Sequence, residues 1–179
     1  LLSEAMTHLG EGVIITGDDL EWPGPEIIYV NETMCRMTGY KANELIGKTP
    51  RILQGEATTP ETLQQIRQDL KEGRSCSVEL VNYRKDGTPY DVELFISPMF
   101  DAVGNHTNFV SIQRDITERK LLAEALRREH EFNRSIIETS QNVTLVLDTD
   151  GRVVEFNPYL EKITGWRSDE VKGRDWFET

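Results

Sequence analysis

The chain has 179 residues and a formal net charge of −11 at pH 7. This length allows one large domain, or one domain with part of another, and the acidity argues against nucleic acid and anionic membranes as partners. Without a signal peptide or a run of roughly 18 apolar residues, the chain is predicted to be cytoplasmic and to have no transmembrane helix. Because it begins with Leu1 and not with methionine, we expect it to be a piece of a longer protein.

The first predicted elements are a helix and two short strands. Apolar residues at helical spacing predict a flanking helix within residues 1–10. Two β-branched runs, at residues 13–16 and at Ile27–Val30, predict strands. The residues between them, 17–26, are rich in proline and turn-forming residues and are predicted to be a link.

Residues 31–55 read NETMCRMTGYKANELIGKTPRILQG and form the most informative segment of the chain. Asn31 is a good helix N-cap, and Gly39 supplies the left-handed residue that ends that helix. A second brief helical turn, at residues 42–45, ends at Gly47 in the same way. Helices this short are unstable alone in water, so the segment is predicted to lie against a sheet and form one wall of a cavity.

A longer helix and three further strands follow. The helix is predicted over residues 61–71, with Thr59 as its cap and Pro60 at its first position. Alternating apolar and polar residues predict strands at residues 76–83, 90–97 and 107–114. The predicted fold is therefore α+β, with a five-stranded antiparallel sheet and short helices between its second and third strands.

The fifth strand leads into a predicted linker helix of about twenty residues that ends near residue 139. Asp115 and Glu118 resemble a capping box at its start. Its apolar residues form an imperfect seam with a spacing of about 3.5 residues, which includes Leu122, Leu126 and Ile136. We expect this seam to form a coiled-coil-like homodimer contact; the alternative is a helix folded back on its own domain.

The end of the chain repeats an earlier segment. Residues 157–166 copy residues 31–40 at an offset of 157 − 31 = 126 positions, and strands are predicted at residues 143–147 and 153–156. These features predict the start of a second domain of the same kind, which cannot bury a complete core by itself. We expect it to pair with a neighbouring molecule or to be partly disordered.

The segment from residue 31 to residue 55 resembles a PAS domain and, within that family, the flavin-binding light-oxygen-voltage (LOV) branch. Where the LOV pattern is GxNCRFLQG, this chain has GKTPRILQG, with Arg51, Gln54 and Gly55 in register. The photoactive cysteine position is Pro50. The resemblance implies a LOV-like domain at residues 11–115 that forms no cysteinyl–flavin adduct. In this division a flanking helix at residues 1–10 precedes the domain, and a linker helix at 116–139 and an incomplete PAS domain at 140–179 follow it.

The resemblance also implies a set of flavin-binding residues. Arg51 and Arg67 match the two arginines that hold the flavin phosphate, a role for which the guanidinium group is suited by geometry and charge. Gln54 matches the glutamine beside the ribityl chain. Asn82 matches the asparagine at the pyrimidine edge of the isoalloxazine, and Gln113 matches the glutamine that faces flavin N5 and O4.

Two positions depart from the LOV pattern. Thr49 replaces the asparagine before the photoactive position, and Val92 replaces a second asparagine. Losing a neutral hydrogen bond costs about 1 kcal/mol, so we expect binding to be weakened and not abolished. The two arginines fit FMN; FAD is the alternative, because similar PAS redox sensors bind it.

Other residue types offer no competing site. Cys35 and Cys76 share no close spacing and are predicted to be free thiols in a reducing cytosol. Haem-binding PAS domains place a histidine on or near the long helix, whereas His8, His106 and His130 lie elsewhere. We find no catalytic, P-loop or metal-ligand pattern and predict that the chain is not itself an enzyme.

The predicted function is the sensory input of a signal-transduction protein. A flavin would report redox state, with blue light as a secondary stimulus, and Gln113 would pass the change to the linker helix. An output domain in the longer protein, such as a histidine kinase or a cyclic-di-GMP enzyme, would receive it. The alternative is a ligand-free PAS module that only dimerises and spaces other domains.

Overall fold

The computed structural model describes residues 10–178, and the predicted helix over residues 1–9 lies outside the described residues. Within that range, one antiparallel sheet of five strands is formed in the spatial order β2-β1-β5-β4-β3. The result confirms the predicted α+β fold. The strands are Gly12–Thr16 (β1), Ile27–Val30 (β2), Cys76–Tyr83 (β3), Pro89–Phe100 (β4) and His106–Asp115 (β5).

Four short helical elements connect β2 to β3. They are Glu32–Thr38 (α1), Ala42–Leu45 (α2), a 3-10 helix at Pro50–Leu53, and Pro60–Lys71 (α3). Asn31 caps α1 by accepting the Met34 N–H, and Gly39 ends that helix with a φ of 77°. Both predicted helix signals therefore act as expected.

The fourth strand is longer than predicted, because it continues through Pro98 to Phe100. The β3 ladder begins with Cys76 opposite Ile96, so beyond this point β4 has no ladder partner on that side. A proline is tolerated where no neighbouring strand needs its missing N–H. Strand β4 therefore continues beside β5 alone.

Two clusters of buried side chains hold this part of the chain together. One lies between α3 and strands β3 to β5 and includes Ile66, Leu70 and Leu94. The other lies between α1, α2 and strands β1 and β2 and includes Ile14, Met34 and Leu45. Apolar burial on this scale is the main stabilising contribution to a fold of this size.

The linker helix spans Thr117–Thr139 (α4) and buries none of its residues. Both the dimer contact and the alternative of a helix folded back on its own domain stay predictions. Half of the predicted capping box is confirmed, because the Asp115 carboxylate accepts the Thr117 N–H at 2.9 Å. Within residues 10–178 no hydrogen bond joins the Glu118 carboxylate to Asp115, since Asp115 still belongs to β5. The Asp115 carboxylate also accepts an Arg84 N–H at 2.6 Å.

The contacts divide the chain into two compact units, with the boundary between Lys120 and Leu121. Besides most of α4, the described part of the second unit contains two strands, Leu145–Leu147 (β6) and Val153–Phe156 (β7), and two short helices, Pro158–Thr164 (α5) and Ser168–Val171 (α6). Its buried cluster consists of Val153, Phe156, Leu160 and Val171. The predicted pairing of this unit with a neighbouring molecule stays a prediction.

None of the helices within residues 10–178 is both long and apolar enough to cross a membrane.

Candidate functional site

The first unit contains a cavity between the inner face of the sheet and the segments that cover it. The cavity encloses about 180 Å³ and opens to solvent at its mouth. Most of the lining is apolar, as in small-molecule sites generally. The apolar lining includes Ile14, Leu53, Leu63, Ile66, Leu80, Leu94 and Phe109.

The polar side chains named from the sequence meet at this cavity, with one exception. Thr49, Arg51, Gln54, Arg67, Asn82 and Gln113 all line it. They come from the 3-10 helix and its flanks, from α3 and from strands β3 and β5. Val92 is fully buried in the core cluster of β4 and is not among the lining residues.

Gln113 carries a buried polar atom for which the protein supplies no partner. The residue is 3% exposed, and its amide nitrogen donates to the Ser111 hydroxyl at 3.3 Å. Its amide oxygen has no hydrogen-bond partner among residues 10–178. Leaving such an acceptor unpaired costs about 1–3 kcal/mol, so a donor on a ligand in the cavity would stabilise this position.

The two arginines lie at the edge of the cavity and both contact the loop between β1 and β2. The Arg51 Nε donates to the Pro23 carbonyl at 2.7 Å. An Arg67 Nη lies 3.7 Å from the Glu21 carboxylate, and the Arg67 Nε is buried without a partner among the described residues. Both guanidinium groups thus have donors left for an anionic group such as a phosphate.

Sequence reasoning missed one wall of the cavity. Residues 17–26 were predicted only as a link, yet Leu20, Pro23, Gly24 and Pro25 line the site. The clustered prolines and glycine were the available signal, because such a composition fixes a loop shape instead of leaving it variable. The link therefore contributes directly to the candidate site.

The segment that carries Arg51 and Gln54 is fastened to β3. The Tyr83 ring packs on Gly55 so closely that a Cβ there would lie 2.4 Å from ring atoms. The Tyr83 hydroxyl accepts the Ala57 N–H at 2.9 Å, and the Thr58 hydroxyl donates to the Val81 carbonyl at 2.6 Å. These contacts hold Gln54 and Asn82 on adjoining parts of the cavity wall.

Strand β5 connects the cavity to α4. Two residues beyond Gln113, the half-buried Asp115 forms an ion pair with Arg84. The Arg84 guanidinium also lies 4.5 Å from the centre of the Tyr90 ring and donates a hydrogen bond to the Met37 carbonyl. Burial opposes ionisation of Asp115, but its hydrogen bonds to Thr117 and Arg84 outweigh this effect, so the pKa of the carboxyl is lowered. Burial raises the pKa of Tyr90 to about 12 and keeps it neutral.

Position 50 adds no reactive group to the cavity. Pro50 lines it, and the lining residues within the described range include neither cysteine nor histidine. Cys35 and Cys76 are free thiols. Burial is the main cause that raises the pKa of each thiol, so both favour the protonated form.

Comparison with known proteins agrees with this architecture. The family model "PAS domain" matches residues 10–118, and "PAS fold" matches residues 131–179. The chain is 31% identical to the nitrogen fixation regulatory protein of Klebsiella oxytoca over 131 residues, which cover 73% of this chain and 26% of that protein. It is 40% identical to a blue-light-activated histidine kinase of Brucella anthropi over 95 residues, which cover 53% and 19%.

A solved structure described as "Flavin Analogue Sheds Light on Light-Oxygen-Voltage Domain Mechanism" matches with a TM-score of 0.59 and 32% identity. The match covers 73% of this chain and 95% of the other. The chain thus spans about a quarter or less of these two curated relatives, but nearly all of the solved LOV-domain chain is matched.

Proposed function

The chain belongs to the PAS domain family, and from that premise we propose that residues 11–115 form a LOV-like flavin-binding sensory module. The single observation that carries the proposal is the unpaired, buried amide oxygen of Gln113 at the cavity wall. A reduced flavin presents an N–H there and an oxidised flavin does not. The same amide can turn its NH2 group to the oxidised form.

The other cavity residues support the same ligand. Asn82 is 6% exposed and lies on the inner face of β3, where an amide suits the polar edge of an isoalloxazine. Arg51 and Arg67 at the mouth suit the phosphate that FMN and FAD share. A flavin bound here would supply reversible electron and proton uptake, while the protein residues orient it and exclude water.

We propose that the signal leaves through β5. A change in the hydrogen bonding of Gln113 is followed two residues later by Asp115, whose carboxylate holds the first N–H of α4. The Thr117 hydroxyl also accepts the Asp91 N–H at 2.9 Å, so the start of α4 is tied to β4 as well. This junction is the element whose two arrangements a flavin would bias.

The stimulus we propose is redox state, with blue light as a second route to flavin reduction. Pro50 has no thiol, so the cysteinyl adduct of photoactive LOV domains cannot form at that position. Blue light as the second route is supported by the relative that is described as a blue-light-activated histidine kinase.

Partners and location follow from the same proposal. The exposed leucine and isoleucine side chains of α4, such as Leu122 at 64% and Ile136 at 51%, suit a homodimer contact. An output domain in the longer protein, such as a histidine kinase, would receive the signal. Free thiols at Cys35 and Cys76 fit a reducing cytoplasm.

An absorption spectrum of the purified chain tests the cofactor. We expect a yellow protein whose visible bands bleach with dithionite, and which shows no adduct band under blue light. Heat release of the chromophore identifies it. A colourless protein that takes up neither FMN nor FAD would overturn the proposal and leave a ligand-free interaction module.

Gln113→Leu tests the proposed route of the signal. The variant should keep its flavin, with an affinity lowered by about fivefold for the loss of one neutral hydrogen bond of about 1 kcal/mol. In the full-length protein, however, output should no longer follow flavin reduction. Gln64→Leu, at an exposed position of α3, is the matched control; unchanged coupling in Gln113→Leu contradicts the route.

A further inference from the structure

The loop between β1 and β2 carries a tryptophan that the proposed function leaves without a role. Trp22 is 80% exposed, and within residues 10–178 no aromatic ring or cation packs on its indole. Tryptophan is seldom so exposed in a folded chain, since its ring is large and mostly apolar. Its position relative to the cavity shows what it could contact.

Trp22 lies between the two residues that contact the phosphate-facing arginines. On one side, the Glu21 carboxylate lies 3.7 Å from Arg67. On the other side, the Pro23 carbonyl accepts a hydrogen bond from Arg51. The backbone of Trp22 is therefore held at the mouth of the cavity, beside the place where a flavin phosphate would bind.

A tight turn fixes this position. The Gly24 N–H donates to the Glu21 carbonyl at 2.6 Å, which makes Trp22 and Pro23 the central residues of a β-turn. The Asp19 carboxylate accepts the Glu21 N–H at 2.8 Å and orders the residues before the turn. The indole is thus presented from a defined backbone, with its faces open to a ligand.

The cations at the mouth suit a ligand that carries two phosphates. Each phosphate of a pyrophosphate that is esterified at both ends carries about one negative charge. Lys71 lies 3.6 Å from Glu21 and places a third cation at the same edge, beside Arg51 and Arg67.

We propose that Trp22 is a stacking platform for the adenine of FAD, whose pyrophosphate lies among Arg51, Arg67 and Lys71. This inference rests on the proposed function, and it selects FAD over FMN. FMN ends at its phosphate, whereas FAD continues from there through a second phosphate and a ribose to a flat base. An exposed indole beside the phosphate site is the group that such a base stacks on.

The test is a titration of the flavin-free chain with FAD and, separately, with FMN. Base–aromatic stacking strengthens binding by roughly 5- to 150-fold, so we expect the dissociation constant for FAD to be lower than that for FMN by such a factor. Trp22→Ala should remove most of this difference by weakening FAD binding alone. Trp22→Phe should restore part of it, and Trp166→Ala, in the second unit, should leave both affinities unchanged.

Equal affinities for FAD and FMN, with no effect of Trp22→Ala on either, would overturn the inference and leave the proposed function intact. A Trp22→Ala variant that weakens both ligands equally would also overturn it, because the residue would then only shape the loop. Failure of the wild-type chain to bind either flavin would overturn the proposed function itself, and the inference with it.

Discussion

The two units of the chain use the same local structure on two different sheets. In the first unit Asn31 accepts the N–H groups of Val13 and Met34, and in the second Asn157 accepts those of Thr144 and Leu160. The glycines that end the following helices, Gly39 and Gly165, have φ values of 77° and 78°. The repeated segment therefore folds alike in both places.

The correspondence extends to the backbone bonds that attach the segment to its strand. The Gly47 N–H donates to the Ile27 carbonyl at 2.8 Å. At positions 126 residues later, the Gly173 N–H donates to the Val153 carbonyl, also at 2.8 Å. However, the first segment covers a five-stranded sheet and closes a cavity, whereas the described part of the second lies on two strands. The repeated segment thus forms one wall of a cavity only where strands β3 to β5 are also present to form the opposite wall.

The largest expected effect comes from removing the two caps. Asn31→Ala should destabilise the first unit by about 3 kcal/mol, because a helix cap is lost and buried backbone groups at Val13 and Glu11 lose their partners. Asn157→Ala should unfold the second unit, whose core is small, and leave the first unchanged. Denaturation followed by tryptophan fluorescence and, in the holoprotein, by flavin absorbance separates the two transitions.

A single transition that shifts equally in both variants would contradict independent units. Asn105→Ala, in the exposed turn between β4 and β5, provides a control for loss of an asparagine that caps no helix.

A smaller effect is expected at the glycines that end the helices. Gly39→Ala and Gly165→Ala each force a left-handed residue to carry a side chain, which costs about 1–2 kcal/mol. The space is open at Gly165 and ordinary at Gly39, where a Cβ would lie 3.7 Å from Lys85. The cost should therefore be the same in both units. Gly17→Ala is the control and should not destabilise the first unit, because Gly17 does not have a left-handed φ and a Cβ there would meet no atom within 4 Å.

Unequal costs, measured as the loss of unfolding free energy of each unit, would show that the two segments are not energetically equivalent despite their matching geometry.

The smallest effects distinguish the ion pairs of the two units by their pH dependence. The lowered pKa of Asp115 means that its contribution is present above its unfolded pKa of about 3.9 and is lost as pH falls through the folded value. The first unit should thus lose this contribution as the pH falls below that unfolded value. Asp115→Asn should reduce the acid dependence of its stability and leave the part that is due to the other carboxyl groups with lowered pKa values, Glu44, Asp69, Asp86 and Asp101. Unfolding at a series of pH values measures both.

In the second unit, the pair of Arg167 and Asp169 is the exposed counterpart of the Arg84–Asp115 pair. The hydrogen bond from Arg167 lowers the pKa of Asp169, but both side chains are more than 70% exposed and are screened by solvent. Asp169→Asn should therefore change the pH dependence far less than Asp115→Asn does. An equal effect would mean that burial of the Asp115 pair has no energetic consequence.

Much of the fold could be predicted because its signals are local. The cap at Asn31, the left-handed Gly39 and the alternation in β3 each depend on a few neighbouring residues. The order of the strands could not be derived this way, since it depends on pairings between distant segments. The pairing of Asp115 with Arg84 could not be derived for the same reason, because the two residues are 31 positions apart.

The candidate site was predictable only through the resemblance. Six of the seven named positions line the cavity, whereas Val92 lies in the core beneath it. Nothing in the local pattern of residues 17–26 shows that Pro23 and Gly24 reach the same cavity. Whether the six side chains bind a flavin stays a prediction until the spectrum is measured.

The way in which Tyr83 and Thr58 fasten the Gln54 segment to β3 has a consequence for ligand exchange. That side of the cavity opens only if hydrogen bonds to Ala57 and Val81 break. The opposite side is held by the Arg51 bond to Pro23 and by exposed pairs to Glu21. A ligand should therefore enter and leave past the β1–β2 loop, and its residence time should depend on that loop more than on the sheet.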